Sequence, residues 1–245
     1  MKPFLILQLR GDDKASDNEF EAFLAFRGLK QEEVHRVRME TEAFPEIDLN
    51  QYSGIIVGGG ESNVSDEEEI KSAVQIAFEK KLIDLLEKVV EKDFPFMGAC
   101  YGLGILGKQL GVKVSKEKYG EQAGAGTIIL TEASKNDPLL KGVPEKFRAF
   151  LGHKESWQET PESVQLLASS EECPIHMIRV KENIYATQFH PELDIDGVVL
   201  RINIYKNAGY FAPEEADDLI DTVRKEEIIY PMVVLKNFID RYKSP

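Results

Sequence analysis

Residues 94–111 read FPFMGACYGLGILGKQLG, and their reading decides the fold. Phe94–Met97 is a short apolar run of the kind that forms a buried parallel strand. An apolar helix to Leu110 follows, with Gly111 where a C-cap belongs. Between them stands Gly98-Ala99-Cys100-Tyr101-Gly102, the G-x-S-x-G spacing with cysteine in place of serine. Glycine two residues to either side permits a tight strand-to-helix turn that lifts the central side chain out of the sheet. A thiolate there would meet the positive end of the helix dipole and unpaired N–H groups. The N–H of Tyr101 would point at a developing oxyanion.

Three other readings compete for the same residues. Gly102-Leu-Gly104-Ile-Leu-Gly107 is a literal G-x-G-x-x-G, with Glu117 or Glu121 in the range of a ribose-binding acid. Gly102 to Lys108 fits a phosphate loop, but Gln109 stands where a Ser or Thr must reach magnesium, which discards it. The plainest reading is a buried core cysteine, with glycines that let a helix pack close to a strand.

Outward from this segment the pattern is α/β. Phe4–Leu9 and Gly54–Val57 read as buried strands, and Val34–Met39 alternates as a strand near an edge does. Phe20, Phe23, Leu24 and Phe26 mark a helix capped by Gly28. Ser65 with Glu68 forms a capping box for a second helix running to about Lys92. Strands follow at Thr127–Leu130, Phe147–Leu151, Val164–Ala168, His176–Val180 and Ile184–Phe189. Helix starts near Asp196, Pro213 and Pro231 close the chain. The expected fold is an open, largely parallel sheet with helices on both faces, flavodoxin-like, with extra C-terminal helices. We read residues 1–245 as one domain, with 194–245 a helical extension.

Composition excludes several function classes. Acidic residues outnumber basic ones by 43 to 30, a net charge of -13, which repels phosphate backbones and anionic lipid, so no nucleic-acid or membrane partner is expected. No apolar run approaches a membrane span, and Phe4–Leu9 is too short for a signal peptide. Two cysteines, Cys100 and Cys173, build no disulfide framework and suit a reducing, cytoplasmic setting. Cys173-Pro-Ile-His176 offers only two ligands at metal spacing, so no metal is assigned. Arg10-Gly11-Asp12 matches an adhesion tripeptide by coincidence of composition.

A second site separates the readings. The strand Ile184–Phe189 ends at His190-Pro191-Glu192. A cysteine nucleophile needs a base, and the base an orienting acceptor; Cys100, His190 and Glu192 supply all three. At a strand end His190 would share the carboxyl edge of the sheet with Cys100. Gly58-Gly59-Gly60 after another strand offers backbone N–H groups as a second oxyanion donor. The fingerprint reading accounts for neither feature.

The Gly-Gly-Gly loop, Gly-Ala-Cys-Tyr-Gly and Ala-Thr-Gln-Phe-His-Pro-Glu (186–192) together resemble a class I, triad-type glutamine amidotransferase. Within that family the chain looks like stand-alone proteins similar to the glutaminase part of GMP synthase, to which Gly-His-Lys-Glu at 152–155 also points. The resemblance implies that Cys100 forms a γ-glutamyl thioester with glutamine, that His190 shuttles the proton and that Glu192 orients it. It implies oxyanion donors at Tyr101 and Gly59–Gly60, and contacts to the amino-acid end of glutamine from His153, Lys154 and Glu155. It implies no cofactor, and a synthetase partner that takes the ammonia. One departure is Gly104, where many members carry a substrate-holding glutamine; the missing side chain enlarges the site and motivates a second reading, hydrolysis of another γ-glutamyl amide. A binding protein on an inactive scaffold is the third, and a dinucleotide-dependent oxidoreductase the fourth. The chain has no Ser-Gly-Gly-x-Asp-Ser segment of an ATP pyrophosphatase, so GMP synthesis by these residues alone is not expected.

Overall fold

Along Phe4–Leu9, Leu5, Leu7 and Leu9 enter one hydrophobic cluster and Phe4 and Ile6 another, so the strand is buried on both faces. The computed structural model describes residues 2–25 and 29–243. Its elements are β1 (Phe4–Leu9), α1 (Asp13–Ala25), β2 (Val34–Arg38), β3 (Gly54–Gly60), α2 (Ala73–Lys92), β4 (Phe96–Ala99), α3 (Tyr101–Gln109), β5 (Val114–Ser115), β6 (Glu121–Leu130), β7 (Lys146–His153), β8 (Ser156–Trp157), β9 (Val164–Ser169), β10 (Met177–Val180), β11 (Ile184–Thr187), α4 (Ile195–Tyr205), α5 (Ala216–Val223) and α6 (Tyr230–Tyr242).

Among the described residues one nine-stranded sheet runs β2-β1-β3-β4-β11-β10-β9-β6-β7, and β5 pairs with β8 in a small ribbon. The strands from β2 to β11 pair in parallel. The strands beyond β11 pair antiparallel. The change of sense follows from the connections. Only Lys181–Asn183 joins β10 to β11, too short for a crossover helix, and Lys181 takes φ 52° in that turn.

Helices α2 and α3 cover one face through Phe78, Leu82, Leu86, Leu103 and Leu106. Helices α1 and α6 cover the other through Phe20, Phe23, Leu235 and Phe238. The C-terminal segment is thus partly a core layer: the Phe238 ring centroid lies 6.2 Å from that of Phe4. Burial of side chains of this size stabilises by roughly 1.5–3 kcal/mol each. Helices α4 and α5 pack together over Phe150.

Three expectations need correction or lie out of view. The helix expected from Ser65 begins at Ala73, capped by the Ser72 hydroxyl on Gln75 N. The Ser65 N–H instead donates to Glu155 Oε2 at 2.8 Å. Gly58–Gly60 is not a turn but the end of β3, with Gly60 in register with Leu9. Phe26 and the Gly28 cap fall outside the described residues. No described helix is long and apolar enough to cross a membrane.

Candidate active site

Neighbouring strands β3, β4 and β11 end at one edge of the sheet, and each delivers one part of the site there. Cys100 follows β4 as the N-cap of α3, with φ 52° and ψ −94°. Non-glycine residues rarely hold such a backbone, and it persists only where the surroundings enforce it. They do so here. A Cβ on Gly98 would lie 2.7 Å from the carbonyl carbon of Gly102, so the elbow closes only over glycine. Cys100 N donates to Thr187 O at 2.7 Å, tying the elbow to β11. The Tyr101 hydroxyl donates to Glu79 Oε1 at 2.9 Å and anchors α3 on α2. The first N–H groups of α3 have no intrahelical acceptor and face the edge.

His190 follows β11, and its Nδ1 lies 2.7 Å from Glu192 Oε1. Both residues are buried, and the charge of Cys100 acts on the ring. Burial alone would lower the His190 pKa. The Glu192 charge and hydrogen bonds to Cys100 and Glu192 outweigh it and raise it. Burial would raise the Glu192 pKa, but the His190 charge and hydrogen bond, with Arg201 and Arg10 nearby, hold it well below the usual carboxylate range. Gly59 of β3 packs on this ring: a Cβ there would lie 2.5 Å from His190 Cε1 and 3.1 Å from Arg10 Nη2.

A cleft of about 350 Å³ opens beside Cys100, lined by Gly60, Tyr101, Gly104, Gln188 and the backbone stretch 152–157. The sequence reading passed over Gln188, whose Nε2 lies 3.9 Å from Cys100 Sγ. The side chains of 153–155 turn into the walls. His153 Nε2 meets Glu121 Oε2 at 2.7 Å, Lys154 Nζ donates to Ala208 O at 2.6 Å, and Glu155 accepts from Val64 N at 2.9 Å as well as from Ser65. This corrects the expectation that Gly104 leaves extra room. A Cβ on Gly104 would sit 3.1 Å from Glu155 Oε1 and 3.2 Å from Val64 Cγ2, so that space is filled.

The glycine-rich helix also explains itself without a nucleotide. Gly102 faces Val57 O and Gly107 the Trp157 indole, so both serve packing. Of the two acids considered for a ribose, Glu117 pairs with Lys113. Glu121 joins a cluster that spacing alone concealed. Glu121, His153, Cys173 and His176 bring ligand-type atoms within 4.8 Å of one another. His153 Nε2 and His176 Nε2 meet the same carboxylate oxygen, at 2.7 and 2.8 Å. Burial pushes the Cys173 thiol up, and its sulfur contacts Ser156 Oγ at 3.3 Å. The cluster is wired by hydrogen bonds that fasten the 153–155 wall to β6 and to the segment 173–176 ahead of β10. Arg10 is no exposed adhesion residue: it is buried, and its Nε lies 3.1 Å from Glu19 Oε1.

A model of the class-I glutamine amidotransferases matches residues 15–196. The chain belongs to that family. Among its relatives, the amidotransferase is 31% identical over 156 residues to a glutamine-hydrolysing GMP synthase subunit of Pyrococcus abyssi, covering 62% of this chain and 73% of that one. It is 25% identical over 227 residues to gamma-glutamyl peptidase 4 of Arabidopsis thaliana, covering 91% and 87%. It spans about a quarter of the length of the bacterial GMP synthases it matches: 24% of that of Lactobacillus delbrueckii subsp. bulgaricus, at 35% identity over 142 residues, which are 57% of this chain. The fold is shared with a solved glutamine amidotransferase of Thermotoga maritima, TM-score 0.79 and 20% identity, over 100% of both chains.

Proposed function

We propose that this amidotransferase hydrolyses the side-chain amide of glutamine to glutamate and ammonia through a γ-glutamyl thioester on Cys100. The observation that carries it is the meeting, at one sheet edge, of the strained Cys100 elbow with the buried His190–Glu192 pair. His190 already holds the thiol proton, so sulfur attacks the carboxamide carbon as a thiolate, and the imidazolium gives that proton to the departing nitrogen. It then draws a proton from the water that opens the thioester. Glu192 orients the imidazole and stabilises its charged form. The Tyr101 N–H and the Gly59–Gly60 backbone hold the oxyanion, and one such donor is worth about 2.7–4 kcal/mol. The backbone of His153–Glu155 holds the amino-acid end. Glutamate and ammonia release by the purified chain tests this reading. The wild type is expected to turn over and Cys100→Ala to be inactive; equal turnover in both overturns it.

The ammonia acceptor in this proposal is a synthetase partner. In the bacterial relatives named as GMP synthases, most of the chain lies outside the matched region. Glutamine turnover by the isolated chain is then slow with a high KM, and a synthetase co-purifies from the native cell. Fast turnover at a micromolar KM without a partner contradicts partner dependence.

A second reading is favoured by a specific observation. The cleft adjoins a second cavity beyond His190, lined by Leu193, Val198, Ile202, Tyr205 and Phe211, and the similarity to a γ-glutamyl peptidase runs over nearly the whole of both chains. On this reading the same Cys100 chemistry acts on larger γ-glutamyl amides. Comparing glutamine with a panel of γ-glutamyl amides separates the two.

A further inference from the structure

The cavity beyond His190 has an unusual wall. Arg10 and Arg201, 4% and 7% exposed, line it together with Tyr205 and the carboxyl edge at Gly60. Leu193, Val198, Ile202 and Phe211 make its apolar floor, and the carboxylate of Glu61 also lines it. The cavity shares Gly60, Gly152 and Tyr210 with the Cys100 cleft and is lined by His190, so the two adjoin as one trough.

The donors in that wall are not fully used. Glu192 and Glu19 are the acids beside both arginines, and Glu19 is the one that bonds Arg10 directly. Its Oε1 accepts from Arg10 Nε at 3.1 Å and its Oε2 from Gln8 Nε2 at 2.9 Å, while Arg201 Nη2 stays 3.9 Å away. Arg201 Nη1 is spent on Asn18 Oδ1 and Gly197 O, at 2.7 and 3.0 Å. Arg201 Nε and Nη2, Arg10 Nη2 and the Tyr205 hydroxyl are buried, and none makes a well-formed hydrogen bond among the described residues, although Arg10 and Tyr205 lie close enough to act on each other. Unsatisfied donors on buried cations are costly, and a forked guanidinium suits a carboxylate above other acceptors. Arg10 Nη2 and the His190 ring flank the same glycine, Gly59, so these donors stand beside the proton shuttle rather than at a remote surface.

We propose that this cavity is the subsite for an amine leaving group that bears a carboxylate, so that the preferred substrates are γ-glutamyl amino acids or short γ-glutamyl peptides. The inference rests on the Cys100 chemistry above and deepens its second reading. Sulfur bonds to the γ-carbonyl carbon, the C–N bond breaks, and the thiol proton passes through His190 to the leaving nitrogen. The free amino acid departs with its carboxylate on Arg201 and Arg10, and water then hydrolyses the thioester. Glutamine fills only the Cys100 half of the trough and leaves these donors unmatched.

The test compares γ-glutamylglycine with γ-glutamylglycinamide, which differ only in the terminal charge, with glutamine as reference. The wild type is expected to favour γ-glutamylglycine in kcat/KM by about tenfold to a hundredfold, the usual range for charge-assisted hydrogen bonds. In Arg201→Met that preference falls to within about threefold, chiefly through KM for the charged substrate, as losing a charge-assisted bond of this size requires. Equal use of the two dipeptides by the wild type, or an undiminished preference in Arg201→Met, overturns the subsite. Should Arg201→Met not fold, the wild-type ratio alone decides. Turnover of glutamine with none of either dipeptide overturns the subsite and leaves the amidohydrolase reading standing; no turnover of all three overturns both.

Discussion

On the Cys100 side of the trough the groups proposed to hold substrate are backbone: the start of α3, the end of β3, and residues 152–157, whose His153, Lys154 and Glu155 side chains turn away to fasten the wall. On the His190 side the polar wall is side chain: Arg10, Arg201 and Tyr205, drawn from the two ends of the sequence. Backbone donors cannot be exchanged by substitution, so they suit the γ-glutamyl group that every proposed substrate shares. Side chains can be exchanged, so they suit the part that varies. The proton shuttle sits at the join, where both designs must hold it: Gly59 backbone against one face of the ring and the Glu192 carboxylate on Nδ1.

The join is where substitution should cost most. His190→Ala is expected to lower kcat/KM of glutamine hydrolysis by 10²–10⁴-fold, about 3–5 kcal/mol of barrier, and Glu192→Ala by less, because the base takes part in every proton transfer. Steady-state kinetics that rank Glu192→Ala as the worse variant would reverse the two roles.

Titration sharpens the same point. His190 is pushed up to about 9, so its contribution to stability is complete below the ordinary histidine value and lost as pH rises through the raised one. Glu192→Gln leaves burial without its main opponent, and the His190 pKa should fall below the ordinary value. An NMR titration of the histidine ring reads this directly; an unchanged pKa would mean that Glu192 does not charge-stabilise the ring.

The backbone half makes a prediction of its own. Gly104→Gln should not improve glutamine binding, because its Cβ would already press on Glu155 Oε1 and Val64 Cγ2. Overpacking of this kind costs about 1–3 kcal/mol, to be read as a lower denaturant midpoint. A lower KM with unchanged stability would show that the wall yields. The smallest effect concerns the elbow. At φ 52° glycine is relieved of strain that alanine keeps, so Cys100→Gly should be more stable than Cys100→Ala by about 1 kcal/mol, the reverse of the usual order. Urea unfolding of the two inactive variants checks it, and the ordinary order would mean that the elbow stores no strain.

What was legible in the sequence follows the same division. The elbow, the His190-Pro191-Glu192 step and most strands are local patterns and lie near the expected positions, although β6 begins at Glu121 rather than Thr127 and β11 ends at Thr187 rather than Phe189. Features that depend on chain reaching across the fold were not legible. Glu155 takes the N–H groups of Val64 and Ser65 from 90 residues away, which moves the α2 cap to Ser72. Pairing with Leu9 turns the Gly58–Gly60 run into strand. Cys173 and His176 looked like two isolated ligands until β6 and β7 brought up Glu121 and His153. Arg10 and Arg201 meet only because α4 packs beside α1, and no spacing rule links residues so far apart.

Chemical labelling reads out whether Cys100 is the nucleophile proposed for this family member. The purified chain is treated with a glutamine analogue carrying an electrophile at the side-chain carbonyl, digested, and mapped by mass spectrometry. One adduct is expected, on the peptide that holds Cys100, with Cys173 unlabelled in its buried cluster and labelling slowed in His190→Ala. An adduct on Cys173 to the same extent, or none on Cys100 in protein that still hydrolyses glutamine, would contradict it.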